Sequence, residues 1–192
     1  MGVREDKKRD TRERLERAAL DLFATRGYDR TTMEAVAAQA GVSARTAFRY
    51  FPAKSDLVFG DSETDLADLR TELAAQDRSL PALEAMRLAL VVFSERIDTP
   101  LNAERARVID ASQALTARGL HERSLWSEAI AVELAARSGL DAPDERARLG
   151  GLLGVSILVS AVREWSGADG NAPSLGDAVN RTASWAAEML QP

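Results

Sequence analysis

The chain has no cysteine and a single histidine, His121, among its 192 residues. Without thiols there can be no disulfide, no thiolate zinc site and no cysteine nucleophile. With one imidazole no histidine metal cluster can assemble, and a Ser-His-Asp triad would depend on His121 with no Gly-x-Ser-x-Gly turn to present its serine. A glycine-rich phosphate loop is also missing. These absences argue against an enzyme, and neither a metal nor a cofactor is expected. The first residues are charged and lack the apolar segment of a secretory signal. The longest nearly unbroken apolar run, 149–162, has the length of a buried core helix rather than the roughly 20 residues of a membrane span. A soluble, cytoplasmic protein that does not use the membrane is the expectation. No segment alternates with period two and no internal repeat occurs, so the expected fold class is all-α, with about nine helices.

The net charge of −5 taken alone would disfavour a nucleic-acid partner, but its distribution reverses that inference. Residues 1–55 hold 12 Lys and Arg against 8 Asp and Glu, whereas residues 56–192 hold 13 against 22. A basic end on an acidic body would meet DNA end-on, since the field of the body repels phosphate while that of the end attracts it. Lys7, Lys8 and Arg9 are expected ahead of the first helix, in an arm that is either a solvated charge cluster or a contact to phosphate or the minor groove. From 11 to 25, Leu15, Ala18, Ala19, Leu22 and Phe23 follow the i, i+3, i+4, i+7, i+8 spacing of an amphipathic helix.

Residues 31–54 hold the densest set of signals. A short helix over about 32–40 has Met33, Val36, Ala37 and Ala40 on one stripe, and Thr31 with Glu34 three residues later matches a capping box. Gly41 ends it, because a residue without a Cβ enters the left-handed region cheaply. Ser43 then caps a second helix over about 44–51, too short to stand alone. Phe48 and Phe51 are expected to lean on the neighbours, while Arg45, Thr46 and Arg49 project from the other side. A braced short helix that displays two arginines suits the major groove, where an arginine fork matches guanine O6 and N7. This is a helix-turn-helix.

Gly41-Val42-Ser43 followed by Thr46, Phe48, Tyr50, Phe51, Pro52, Lys54 and Leu57, with Arg26-Gly27-Tyr28 and Thr31-Thr32 ahead of them, resembles the signature of the TetR family of bacterial transcriptional regulators. The resemblance is specific over about the first sixty residues and architectural beyond. It implies an all-helical homodimer whose second motif helix enters the major groove and which a small molecule releases from its operator. It also implies DNA contacts by Tyr50 and Lys54, to which the motif adds Thr31, Thr32, Ser43, Ala44, Arg45, Thr46, Phe48 and Arg49. Phe48 departs from the tyrosine often found there, which removes a hydroxyl but keeps an apolar contact. The alternative function is a helical protein-interaction module that has lost DNA recognition.

The expected domains are 1–54 for DNA and 55–192 for ligand and dimerisation, joined by one continuous helix over about 53–76 that Gly60 interrupts. Five further helices are expected over 80–97, 100–118, 121–138, 143–166 and 174–190, with Gly119, Gly139 and Gly167 at their ends. Met86, Leu90, Phe93, Ile109, Trp126, Ile130 and Trp165 would line an apolar cavity for a small, lipophilic effector, or simply form core. Gly150 and Gly154 allow close helix approach. With Ile157, Ala183, Ala187 and Leu190 they are the expected dimer seam, because the resemblance places the subunit interface on the last two long helices.

Overall fold

The computed structural model describes residues 3–60, 62–168 and 173–189, and every regular element among them is helical. In chain order these are α1 (Val3–Arg26), α2 (Met33–Gln39), α3 (Ala44–Tyr50), α4 (Asp56–Phe59), α5 (Ser62–Ala75), α6 (Ala82–Ile97), α7 (Pro100–Asp110), α8 (Gln113–Arg137), α9 (Glu145–Gly167) and α10 (Leu175–Met189). The all-α expectation holds, with α4 and α5 together standing for the fourth of nine helices. The chain divides into two compact units, Met1–Asp61 with Arg107–Arg118, and Ser62–Ala106 with Gly119–Pro192. The sequence reading placed the division at 54/55; the units part at 61/62, and the ends of α7 and α8 that meet at Ser112 are counted with the first.

In the first unit α1 lays Leu15, Ala18, Ala19, Leu22 and Phe23 against Met33, Val36 and Ala37 of α2 and Leu57 and Val58 of α4, all of them buried. The helix starts at Val3, upstream of the expected position, so Lys7, Lys8 and Arg9 are helical rather than an arm ahead of the helix. Its polar first half is held by pairs one turn apart: Arg9 with Asp6 and Glu13, Arg14 with Asp10, and the Thr11 hydroxyl donating to the Lys7 carbonyl. Such pairs have no apolar periodicity, which is why a stripe-based reading begins only at 11.

The expected continuous helix over 53–76 is two helices. The Asp56 carboxylate accepts the Ala53 N–H at 2.8 Å, making 53–56 a capped turn that delays the helix start. After Phe59, Gly60 is pressed against its surroundings: a Cβ there would sit 2.4 Å from the Asp56 carbonyl oxygen and 2.9 Å from Arg12 Nη2. Gly119, expected as a stop, lies buried inside α8. The break comes earlier, where the Ser112 hydroxyl accepts the Leu115 N–H and the Thr116 hydroxyl donates to the Ile109 carbonyl. A serine three residues ahead of a buried leucine was the local signal for it.

In the second unit one apolar cluster takes Leu69 and Leu73 of α5, Met86, Leu90 and Phe93 of α6, Ile130 and Leu134 of α8, Val155, Ile157, Leu158 and Trp165 of α9, and Leu175, Val179 and Ala183 of α10. Ion pairs tie its rim: Arg96 to Asp68, Arg70 to Glu133, Arg148 to Glu128 and Arg181 to Glu164. The Asp98 carboxylate receives the Leu175 N–H, and Ser174 caps α10 through the Asp177 N–H, as its spacing predicts. α9 alone among the described helices is long and apolar enough to cross a membrane by length and composition. It carries Arg146, Arg148, Arg163 and Glu164, and its inner face is part of the core cluster.

Candidate nucleic-acid interface

The turn between α2 and α3 is built by hydrogen bonds that the sequence dictates. Gly41 takes φ +69°, and the Val42 N–H reaches the Ala37 carbonyl at 2.9 Å while the Gly41 N–H reaches that of Ala38 at 3.2 Å. Both late carbonyls of α2 are thereby satisfied. Arg14 of α1 donates to the Ala40 carbonyl at 3.3 Å, a cation placed at the negative end of α2. Ser43, extended at φ −74°, accepts the Thr46 N–H at 3.1 Å, so α3 starts where its cap predicts.

α3 is braced from one side only. Ala47 and Phe51 face inward, with Phe51 only 1% exposed beneath the Arg12 guanidinium, 4.6 Å from its ring centroid. Arg12 also pairs with the nearly buried Glu16 carboxylate at 3.1 Å. Phe48, expected to brace the helix, is instead 44% exposed, so the bracing pair is Ala47 and Phe51 at i, i+4. Arg45 and Arg49 are exposed alongside it. Arg45 forms no ion pair among the described residues, while the Arg49 guanidinium lies over the Tyr50 ring at 5.5 Å. Ser43 is exposed, Ala44, Thr46 and Tyr50 are half-buried, and the Thr46 hydroxyl is hydrogen-bonded to that of Ser43.

Two residues expected at DNA turn inward. Thr31 is 2% exposed and its hydroxyl donates to the Gly27 and Leu22 carbonyls, so it staples the α1–α2 loop and is not the cap. The cap is its neighbour Thr32, exposed, whose hydroxyl oxygen accepts the Ala35 N–H at 3.2 Å. The capping-box spacing counted from Thr31 misplaced the helix start by one residue. Lys54 donates to the Tyr28 carbonyl at 2.8 Å and the Thr31 carbonyl at 2.9 Å, with its ammonium 4.0 Å from the Tyr28 ring centroid. Tyr28 in turn stacks edge-on to Phe23, and burial followed by the Asp29 and Asp56 charges pushes its hydroxyl pKa up. Lys54 thus locks the loop that carries Thr31 and Thr32. A lysine two residues past a proline reads equally well as a surface charge, and only the fold shows the carbonyls around it.

Residues 16–59, which enclose this arrangement, match the family model of bacterial regulatory proteins, tetR family, and residues 80–191 match that of the MftR C-terminal domain. The chain belongs to the TetR family. It is 31% identical over 149 residues to MftR of Mycobacterium tuberculosis, named as a mycofactocin biosynthesis transcriptional regulator, covering 77% of this chain and 75% of that one. It is also 31% identical over 152 residues to the HTH-type transcriptional regulator TcmR of Streptomyces glaucescens, covering 75% and 67%. Among solved structures the fold is shared with a TetR-family protein of Syntrophomonas wolfei, at TM-score 0.66, 17% identity and 95% coverage of both chains. It is shared as well with the TetR-family repressor FadR of Thermus thermophilus in complex with lauroyl-CoA, at TM-score 0.59, 24% identity and coverage of 94% and 95%. The protein is a TetR-family transcriptional regulator with a helix-turn-helix DNA-binding domain, and its relatives are regulators rather than enzymes.

In this regulator's second unit Met86, Leu90, Phe93, Ile130 and Trp165 come together in the core cluster, with Trp126 packed edge-on to Phe93 at 5.6 Å. Ile109 does not join them; it belongs to the first compact unit. The Trp126 indole N–H donates to the Ser62 hydroxyl, which donates to Glu122, so the rim of the cluster is tied to the start of α5.

The expected dimer seam needs correction. Gly154, Ile157 and Ala183 are buried within the subunit, where a Cβ on Gly154 would lie 2.7 Å from Met86 Sδ. Gly150 is half-buried and equally close to Leu134, Ala187 is half-buried, and Leu190 lies outside the described residues. The glycines bring α9 close to α8 and α6 of its own subunit. On the other side of these helices Leu149 and Leu152 of α9 and Trp185 and Met189 of α10 are exposed, residues absent from the sequence-based expectation. Their i, i+3 and i, i+4 spacing was visible, but α9 is apolar on both sides and periodicity alone does not rank two apolar faces.

Proposed function

We propose that the protein is a cytoplasmic homodimeric repressor that holds a palindromic operator through α3 and is released by a small lipophilic effector bound in the second unit. The observation that carries this reading is the outward face of α3: Arg45, Phe48 and Arg49 exposed on a helix anchored by Ala47 and Phe51. Ser43, Thr32 and Tyr50 border that face and supply hydroxyl and amide donors for phosphate, while Thr31 and Lys54 act by holding the loop. Two-fold pairing through the α9–α10 face presents two such helices to half-sites about 34 Å apart, or a multiple of that. The effector reading rests on the large apolar side chains around Phe93 and Trp126, and the lauroyl-CoA bound by the FadR neighbour makes acyl thioesters the first class to try.

The test is footprinting on the intergenic DNA beside the gene, followed by titration with lauroyl-CoA. Protection of a palindrome, with affinity that falls steeply between low and physiological salt and drops on addition of the thioester, is the expected result. An Arg45→Ala protein that keeps its full base preference would defeat the assignment of α3. Protection that no acyl thioester relieves would defeat the effector class alone.

A further inference from the structure

Phe48 lies outside the buried core of the folded chain. It is exposed, it takes part in no aromatic pair among the described residues, and the inward side of α3 is already occupied by Ala47 and Phe51. The other two exposed side chains of this helix, Arg45 and Arg49, are cations, so the exposed part of the ring is the one apolar surface that α3 turns outward. In the major groove the base edges offer donors and acceptors for polar side chains and one apolar group, the thymine C5-methyl.

We propose that Phe48 is a specificity-determining residue that reads a thymine methyl beside a guanine read by Arg45. Residues three apart share a helix face and stand about 4.5 Å apart along the axis. The base-pair rise is about 3.4 Å, so the two side chains address neighbouring base pairs. Arg49 is less suited to be the second reader of that step, because its guanidinium already lies over the Tyr50 ring. Each half-site then contains a G·C pair next to an A·T pair with its methyl turned to Phe48. The chemistry recognised is a C5-methyl pyrimidine, which 5-methylcytosine also offers; the unmethylated form of the operator is assigned here, with thymine as the source. The inference rests on the DNA-binding reading given above.

The experiment selects sites for the full-length protein from an unmethylated randomised duplex library, then replaces each thymine of the enriched half-site by deoxyuridine, which removes only the methyl. At one thymine adjacent to guanine, the substitution should weaken wild-type binding about 3- to 5-fold, the effect of one buried methyl group. The Phe48→Ala protein should bind the two duplexes equally and, because the ring is not used in the core, should melt at the wild-type temperature. Equal sensitivity in wild type and Phe48→Ala, or none at any thymine, overturns the proposal while leaving DNA binding intact. A preference that emerges only when a cytosine of the site is replaced by 5-methylcytosine overturns thymine as the source. Failure to enrich any duplex overturns the DNA-binding reading itself.

Discussion

Phe48 on α3 and Phe51 just past its end sit three residues apart with opposite duties, and the difference is measurable. Phe51→Ala empties a fully buried site and uncovers the Arg12–Glu16 pair, so it should cost about 3–5 kcal/mol in urea unfolding. Phe48→Ala should stay within about 0.5 kcal/mol of wild type. Lys54 offers a second contrast. If its ammonium holds the Tyr28 and Thr31 carbonyls, Lys54→Met should lower stability by about 1–3 kcal/mol in the absence of DNA. A variant that unfolded like wild type and lost only DNA affinity would return Lys54 to the role of a phosphate contact. The sequence identifies all three residues as important but not which way each one faces, because that depends on partners 20 or more residues away, as for Lys54 and Tyr28.

At the scale of elements, helix boundaries were legible wherever a cap marks them. Ser43, Gly41 and Ser174 act at the positions their spacing predicts. Boundaries were missed where glycine was read as a stop, at Gly119, or where charge pairs extend a helix without an apolar stripe, as in α1. The contact between α8 and α9 depends on Gly151, the neighbour of the Gly150 that the sequence places at the subunit seam. A Cβ on Gly151 would lie 2.1 Å from the Ser127 carbonyl oxygen, so Gly151→Ala must shift backbone and should cost about 1–3 kcal/mol. At Gly150 the clash is with a Leu134 methyl, which can rotate away, so Gly150→Ala should be milder in the same assay. The α6–α10 contact carries a pH signature. Glu84 accepts two hydrogen bonds from Arg87, which also donates to Asn180, and these bonds hold the Glu84 carboxyl below its usual value of 4.5. A lowered folded-state pKa means the contribution is complete above the unfolded value and disappears as pH falls through the folded one. Unfolding midpoints of wild type and Glu84→Gln should therefore converge as pH falls past the usual carboxyl value and on through the lowered one, from a difference of no more than about 1 kcal/mol at neutrality for so exposed a pair.

For the whole molecule, the proposed two-fold assembly depends on the outward face of α9 and α10. A Leu149→Glu, Leu152→Glu double variant leaves the core cluster untouched, since both side chains are exposed in the subunit. In sedimentation velocity it should shift the protein from dimer to monomer while far-UV circular dichroism stays the same. Binding to a palindromic operator should fall by at least about 100-fold, because one short helix reads too few base pairs. A double variant that stays dimeric would move the interface elsewhere. The charge asymmetry between 1–55 and 56–192 belongs to this scale too: the proposed attraction of the basic end to phosphate should shrink as salt shortens the Debye length from about 10 Å at 0.1 M to about 3 Å at 1 M.

The sequence by itself determined the fold class, the helix-turn-helix and the family, because caps, turn glycines and apolar periodicity act over a few residues and are written in consecutive positions. It also narrowed the expected DNA contacts to α3 and to Thr31, Thr32, Ser43 and Lys54 around it. Tertiary structure alone decided which residues of that set face outward: Phe48 free, Thr31 and Lys54 drawn to carbonyls, and the glycines of α9 turned toward their own subunit. The reason is physical. A helix with two apolar faces, or a lysine beside a turn, has more than one low-energy environment open to it, and the choice is made by the distant segments that fold against it.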